Sequence, residues 1–265
     1  MLSLMTWRAT MPNHSNIVDA LHGLGIRTPA DVLRALITHL TKSRASPQQV
    51  LEQLVAVERR ERDARNLERR TKSAMLGMVP PLDRFDWNHP RQIDRPLYES
   101  LLDLGFLKRA ENVLFRGQSG VGKTTLAQNL CVTALQHGHT VYFTTLAAAL
   151  ADLSRQESLP ALERRMRRYT RVDLLVLDEL GYVPCDNRSA DLFYNIISRR
   201  HEQRSTVLTT NLAYKLWPST FPGAACVAAL IDRFAQHCLV MDIDADSWRN
   251  PETHKRRQTK PAKRP

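Results

Sequence analysis

Eight residues constrain this chain more than any others: Gly117-Gln-Ser-Gly-Val-Gly-Lys-Thr124 fits G-x-x-x-x-G-K-[ST]. The segment lies between an apolar run at 112–116, predicted as a strand, and a predicted helix at 122–137. In that setting the glycines let backbone N–H groups wrap phosphate oxygens, and the helix N-terminus adds its positive end. The predicted phosphate-binding residues are Gly117, Gln118, Ser119, Gly120, Val121, Gly122, Lys123, Thr124 and Thr125. Among them Lys123 has the reach for the β/γ oxygens, and the Thr124 hydroxyl is the expected Mg²⁺ ligand.

A loop of this kind needs a parallel sheet around it, and the pattern supplies one. Short β-branched or apolar runs at 112–116, 140–144, 172–177, 206–209 and 238–243 alternate with helical stretches at 122–137, 146–153, 159–169, 189–200 and 224–236. Alternation predicts an α/β fold with a five-stranded parallel sheet flanked by helices. Upstream the chain reads as helical. Ile17, Val18, Leu21 and Leu24 repeat at helical spacing before Gly25, and Thr28-Pro29 and Ser46-Pro47 look like helix starts. The expected layout is a flexible extension (1–15), a small N-terminal helical domain (16–80), a connector with lead-in helices (81–110), the α/β core (111–248) and a basic disordered tail (249–265).

A bound Mg²⁺–nucleotide needs a carboxylate at the end of a neighbouring strand. Leu174-Leu-Val-Leu-Asp178-Glu179 ends an apolar strand in two acids, 55 residues beyond Lys123. Asp178 is placed to hold the Mg²⁺ shell and Glu179 to polarise an attacking water. Thr206-Val-Leu-Thr-Thr-Asn211 ends another strand in an amide. C-terminal strand ends face the ligand crevice of such sheets, so Asn211 is a candidate for aligning the water or sensing the γ-phosphate. Arg233, in Asp232-Arg233-Phe234 on the last helix, is either a surface arginine or a finger toward a neighbouring subunit's γ-phosphate.

The chain has 265 residues and a formal net charge of +11, with 43% hydrophobic residues. Wholesale disorder is thereby excluded. Its four cysteines (Cys131, Cys185, Cys226, Cys238) form no CxxC pair, so buried reduced thiols are expected rather than a disulfide framework or zinc site. The longest stretch lacking Asp, Glu, Lys and Arg, 124–151, carries Gln128, Asn129, Gln136 and two histidines and is no membrane span. The opening MLSLMTWRAT lacks a signal-peptide core, and Met11 is an alternative start. A cytoplasmic protein is expected.

Taken together, the phosphate loop, Leu-Asp178-Glu179-Leu-Gly-Tyr182, Thr209-Thr-Asn211, Asp232-Arg233 and Ser247-Trp248-Arg249 resemble the IstB/DnaC-like AAA+ ATPases. The lead-in Phe85-Asp86-Trp87 and the basic helical N-terminus are similar to the IstB branch, which helps insertion-sequence transposition. The resemblance covers residues 16–249. It implies a P-loop AAA+ core that hydrolyses ATP with Mg²⁺, Asp178 and Glu179 as the Walker B pair, Asn211 as first sensor and Arg233 as a finger acting in trans. Two departures stand out. The first-sensor block reads Thr-Thr-Asn rather than the family's Thr-Ser-Asn, and the helical lid after Ile243 is expected to be minimal or absent, so the family's second-sensor chemistry does not carry over directly; Arg249 is a candidate for it.

The charge is unevenly spread. Residues 249–265 carry net +6, residues 58–72 net +3 and residues 161–171 net +4, so the rest is slightly acidic at −2. Such patches suit sequence-tolerant contacts to DNA phosphates. The charge and the resemblance together imply duplex DNA as a partner, and the resemblance adds the transposase of the same element and further copies of this chain sharing inter-subunit ATP sites. The alternative is a DnaC-type helicase loader acting on single-stranded DNA.

Overall fold

The computed structural model describes residues 14–181 and 186–248. In chain order they form α1 (His14–Gly23), α2 (Ala30–Lys42), α3 (Pro47–Ala74), β1 (Gln92–Ile93), α4 (Arg95–Leu102), α5 (Gly105–Lys108), β2 (Asn112–Gly117) and α6 (Lys123–Gln136). There follow β3 (Val141–Thr145), α7 (Leu146–Ser154), α8 (Leu159–Thr170), β4 (Leu174–Leu180), α9 (Asn187–Arg200), β5 (Ser205–Thr210), α10 (Trp217–Thr220), α11 (Val227–Ala235) and β6 (Cys238–Asp244). The expected extension at 1–15 falls outside the described residues as far as residue 13, and the tail from Arg249 onward does so entirely.

One sheet joins the strands in the order β1-β6-β2-β5-β4-β3. The five expected strands are all present and all parallel. The expected strand count needs one correction, because β1 adds a sixth, antiparallel strand that pairs Gln92 with Asp244 and Ile93 with Ile243. Two residues are too few to show an alternation, so only the pairing with β6 defines this strand. Strands β2, β4 and β5 are buried nearly end to end. Helices cover both faces of a sheet like this, which is why these strands read as continuous apolar runs. Leu114, Leu175 and Leu208 of the sheet pack with Phe193, Trp217 and Phe234 in one core cluster.

Arg200 ends α9 on the same face as Phe193, Ile196 and Ile197 and is fully buried. Its guanidinium donates to the Thr206 hydroxyl at 2.9 Å and to the carbonyls of Tyr169, Val172, Asp173 and Ser205. Burial pushes its pKa down to about 9, which leaves it a cation at neutral pH. This one side chain ties the end of α8 to the residues just before β4 and to the first residues of β5, at the end of the sheet opposite the phosphate loop.

The described residues divide into two compact units, with the division between Arg69 and Arg70, inside α3. Within the first unit, Val18, Leu33 and Leu40 are buried. Ser46 caps α3 as its sequence suggests: its hydroxyl accepts the Gln49 N–H, and the Gln49 side chain accepts the Ser46 N–H at 2.8 Å. Thr28 does not cap α2. Its hydroxyl donates instead to the buried Glu58 carboxylate at 2.8 Å, and the N–H groups of Arg27 and Thr28 reach the same oxygen at 2.9 Å. Arg62 and Arg65 hold the other oxygen.

Burial alone would raise the Glu58 pKa, but the Thr28 hydroxyl, the two N–H groups and Arg62 outweigh it and hold the carboxyl below its ordinary 4.5. A depressed carboxylate stabilises the folded state above the unfolded pKa and loses that contribution as pH falls through the folded one. The first unit should therefore unfold more easily as pH drops below about 4.5. Far-ultraviolet melts of wild type and Glu58→Gln across that range check this: the variant should be less stable at neutral pH and less sensitive to acid.

Candidate nucleotide site

The phosphate loop turns from β2 into α6 under two steric demands. A Cβ on Gly117 would stand 2.3 Å from the Ile243 carbonyl oxygen of β6, so only glycine permits this approach of loop and strand. Gly122, the residue before α6, has φ +95°, and a Cβ there would meet the Phe85 ring at 2.5 Å. Val121 is buried beneath the loop. Ser119, Gly120, Gly122, Lys123, Thr124 and Thr125 line a cleft of about 340 Å³, while Gln118 contributes its carbonyl. The Lys123 ammonium donates to the Gly117 and Gln118 carbonyls at 2.8 and 2.7 Å, which curls its side chain over the loop.

Asp178 sits behind Thr124 with 4% of its surface exposed. The Thr124 hydroxyl donates to its two oxygens at 3.0 and 3.2 Å, and the Thr209 hydroxyl donates to Oδ1. Glu179 follows with φ +65°, its side chain exposed and lining the cleft. Its N–H donates to the Thr209 hydroxyl at 3.0 Å. A carboxylate and a hydroxyl converging beneath a glycine-rich loop make a donor set that fits Mg²⁺–triphosphate, since Mg²⁺ takes one or two protein oxygens besides phosphate and water.

The other wall comes from the connector. Pro80, Pro81, Arg84, Phe85 and Asp86 line the cleft together with Trp248. Side chains of α6 fasten this segment, with Gln128 donating to the Leu76 carbonyl and Asn129 to that of Pro80. Rings extend the tie: Phe85 lies 4.8 Å from Trp87, which lies 5.5 Å from Tyr98, whose hydroxyl donates to the Leu126 carbonyl of α6. Beyond β6, the Trp248 N–H donates to the Gly120 carbonyl at 3.0 Å, and its ring lies 4.3 Å from His89.

Two expected residues stand apart from the cleft. Asn211 is exposed at the end of β5, facing Gly181. Arg233 is held on α11 over the Tyr194 ring at 4.9 Å and donates to the Ser198 hydroxyl. Arg249 and Tyr182 lie outside the described residues. Sequence reasoning did not single out Thr209, because only the strand register brings it beside Asp178. Leu177 pairs with Leu208, so the next residue of β5 had to come beside Asp178. It also missed that Arg165 and Arg168 in the basic cluster are used internally, Arg165 by a bidentate pair with Asp152 and Arg168 by stacking 4.4 Å over Tyr142.

With this geometry in hand, the sequence profile described as IstB-like ATP binding protein matches residues 20–257. The chain belongs to that family. It is 36% identical over 194 residues to a protein named as an ATP-binding protein of insertion sequence IS21 in Pseudomonas aeruginosa, covering 73% of each chain. It is 35% identical over 202 residues to one so named for insertion sequence IS232 in Bacillus thuringiensis subsp. berliner, covering 75% of this chain and 81% of the relative. The crystal structure of DnaI superposes with TM-score 0.53 at 17% identity, over 66% of this chain and 92% of that one. That likeness concerns the fold alone and agrees with a parallel α/β sheet flanked by helices.

Gly117→Ala should lower stability by about 1–3 kcal/mol, because the methyl group meets backbone rather than a yielding side chain. Urea unfolding of the full chain measures it, and a shift under 0.5 kcal/mol would mean that loop and β6 part more easily than the geometry implies.

Proposed function

We propose that this chain is an ATP-hydrolysing, DNA-binding regulator of insertion-sequence transposition. In this reading it oligomerises on duplex DNA in the cytoplasm and recruits or stimulates the transposase of its element. The observation that carries the chemistry is the buried Asp178 carboxylate held against the Thr124 hydroxyl at the floor of the cleft. Family membership and the insertion-sequence names of the relatives support the biological setting. They favour it over the helicase-loader alternative. Among the described residues no helix is long and apolar enough to cross a membrane.

Position supports the roles of the residues that line the cleft. Lys123 leaves the Gly117 and Gln118 carbonyls for the β/γ oxygens, while the loop N–H groups hold the phosphates. Thr124 and Asp178 together would hold the shell of a Mg²⁺ ion, whose chemistry there would be neutralisation of phosphate charge. Glu179, exposed in the cleft, polarises the attacking water. Arg233 lies off its own chain's cleft, a placement suited to a neighbouring subunit's γ-phosphate, and Asn211 aligns the water or senses that phosphate once a neighbour closes the site. The exposed arginines and the basic stretch 249–265 supply phosphate contacts to duplex DNA.

Phosphate release measured with duplex DNA, with single-stranded DNA and without DNA tests the proposal, with electron microscopy of the same mixtures. Duplex should stimulate turnover and yield ordered oligomers. Stimulation only by single strands with a replicative helicase would overturn it in favour of the loader. Lys123→Ala should lose ATP binding. Glu179→Gln should keep ATP and the DNA-bound oligomer while turnover falls about 100-fold or more.

A further inference from the structure

A register shift in the sheet sits beside the reacting groups. Val176 pairs with Val207 and Leu177 with Leu208, yet the next pair is Leu180 with Thr210. Asp178 and Glu179 therefore stand opposite Thr209 alone, a bulge of one extra residue on β4. Bulges bend a strand and re-aim a side chain, and here the re-aimed residue is Glu179. Its φ of +65° is a region that a residue with a long side chain seldom enters. Something has to hold it there.

We infer that Thr209 is the positioning residue for the catalytic carboxylates. One hydroxyl has a single proton and two lone pairs. The Glu179 N–H can only donate and the Asp178 carboxylate can only accept, so the hydroxyl can satisfy both in one orientation: it accepts a hydrogen bond from the amide N–H at 3.0 Å and donates one to Oδ1. The chain amide–hydroxyl–carboxylate fixes the left-handed turn at Glu179 and the rotamer of Asp178 together. It also gives Asp178 an anchor that does not depend on Thr124. When the Thr124 hydroxyl turns from the carboxylate toward the phosphate side, Oδ1 stays pinned by Thr209 and Asp178 keeps its place. Neighbouring Thr210 locks the far side of the bulge, donating to the Leu180 carbonyl at 2.8 Å and accepting the Leu212 N–H at 3.0 Å.

The catalytic part of this inference rests on the ATPase reading above; the positional part does not. Thr209→Val keeps the shape and removes the hydroxyl, while Thr209→Ser keeps the hydroxyl. With the full chain, ATP and duplex DNA, Thr209→Val should lose about 10- to 100-fold in kcat with its ATP Kd changed less than threefold, and Thr209→Ser should stay within threefold of wild type in both. Hydrogen exchange of the Glu179 amide, followed by NMR without nucleotide, should be slow in wild type and Thr209→Ser and fast in Thr209→Val. Equal loss of kcat in both variants, an undiminished kcat in Thr209→Val, or unchanged protection of the Glu179 amide would overturn the assignment. Should Thr209→Val fail to fold, Thr209→Ala removes the same hydroxyl without a branched methyl and carries the comparison. If wild type itself shows no turnover, the ATPase reading fails, and the exchange measurement still decides whether Thr209 holds the turn.

Discussion

A carboxylate buried at the end of a strand has to be met by hydrogen-bond donors, and Asp178 is met from two directions at once. Thr124 reaches it from the first turn of α6 and Thr209 from the end of β5. Three elements that are distant in sequence are thereby referenced to one charged group. The rest of the cleft is built outward from that point. Gly117 brings the loop against β6, Gly122 seats it under Phe85, and α6 holds the connector through Gln128 and Asn129. A shift in Asp178 would disturb all of these, so the phosphate loop and the strand ends behave as one assembly.

What was legible in the sequence was whatever is encoded locally. The phosphate loop, the apolar strand running into Asp178 and Glu179, and the alternation of strands and helices are patterns within short windows, and the five parallel strands appear where those patterns lie. What escaped depends on partners far away along the chain. Thr28 has the look of a helix cap, yet Glu58, thirty positions on, offers its hydroxyl a buried anion. Strand β1 exists only because β6 has a free end to pair with. Thr209 reads as one more β-branched residue until the register places it beside a bulge.

Charge shows the same division. Arginines look alike in a sequence, but their environments separate them into different kinds of group. Arg200 is a structural tie, its cation dispersed over carbonyl dipoles. Arg165 and Arg168 serve the packing of α8 through Asp152 and Tyr142. Arg164, Arg167 and Arg171 remain exposed in that cluster. Counting positive residues therefore overstates how much of a cluster faces solvent, and burial decides the remainder.

The bond from the Trp248 N–H to the Gly120 carbonyl has a consequence for the direction of influence. Trp248 stands directly beside the phosphate loop, and residues 249–265 hold net +6 of the chain's +11. Thermodynamic linkage is reciprocal. A polyanion that draws on those charges and shifts Trp248 changes the loop's preference for its occupant by the same free energy with which that occupant changes the hold on the polyanion. On the function proposed above, nucleotide and polyanion would then be coupled through this one backbone contact, with neither one upstream of the other.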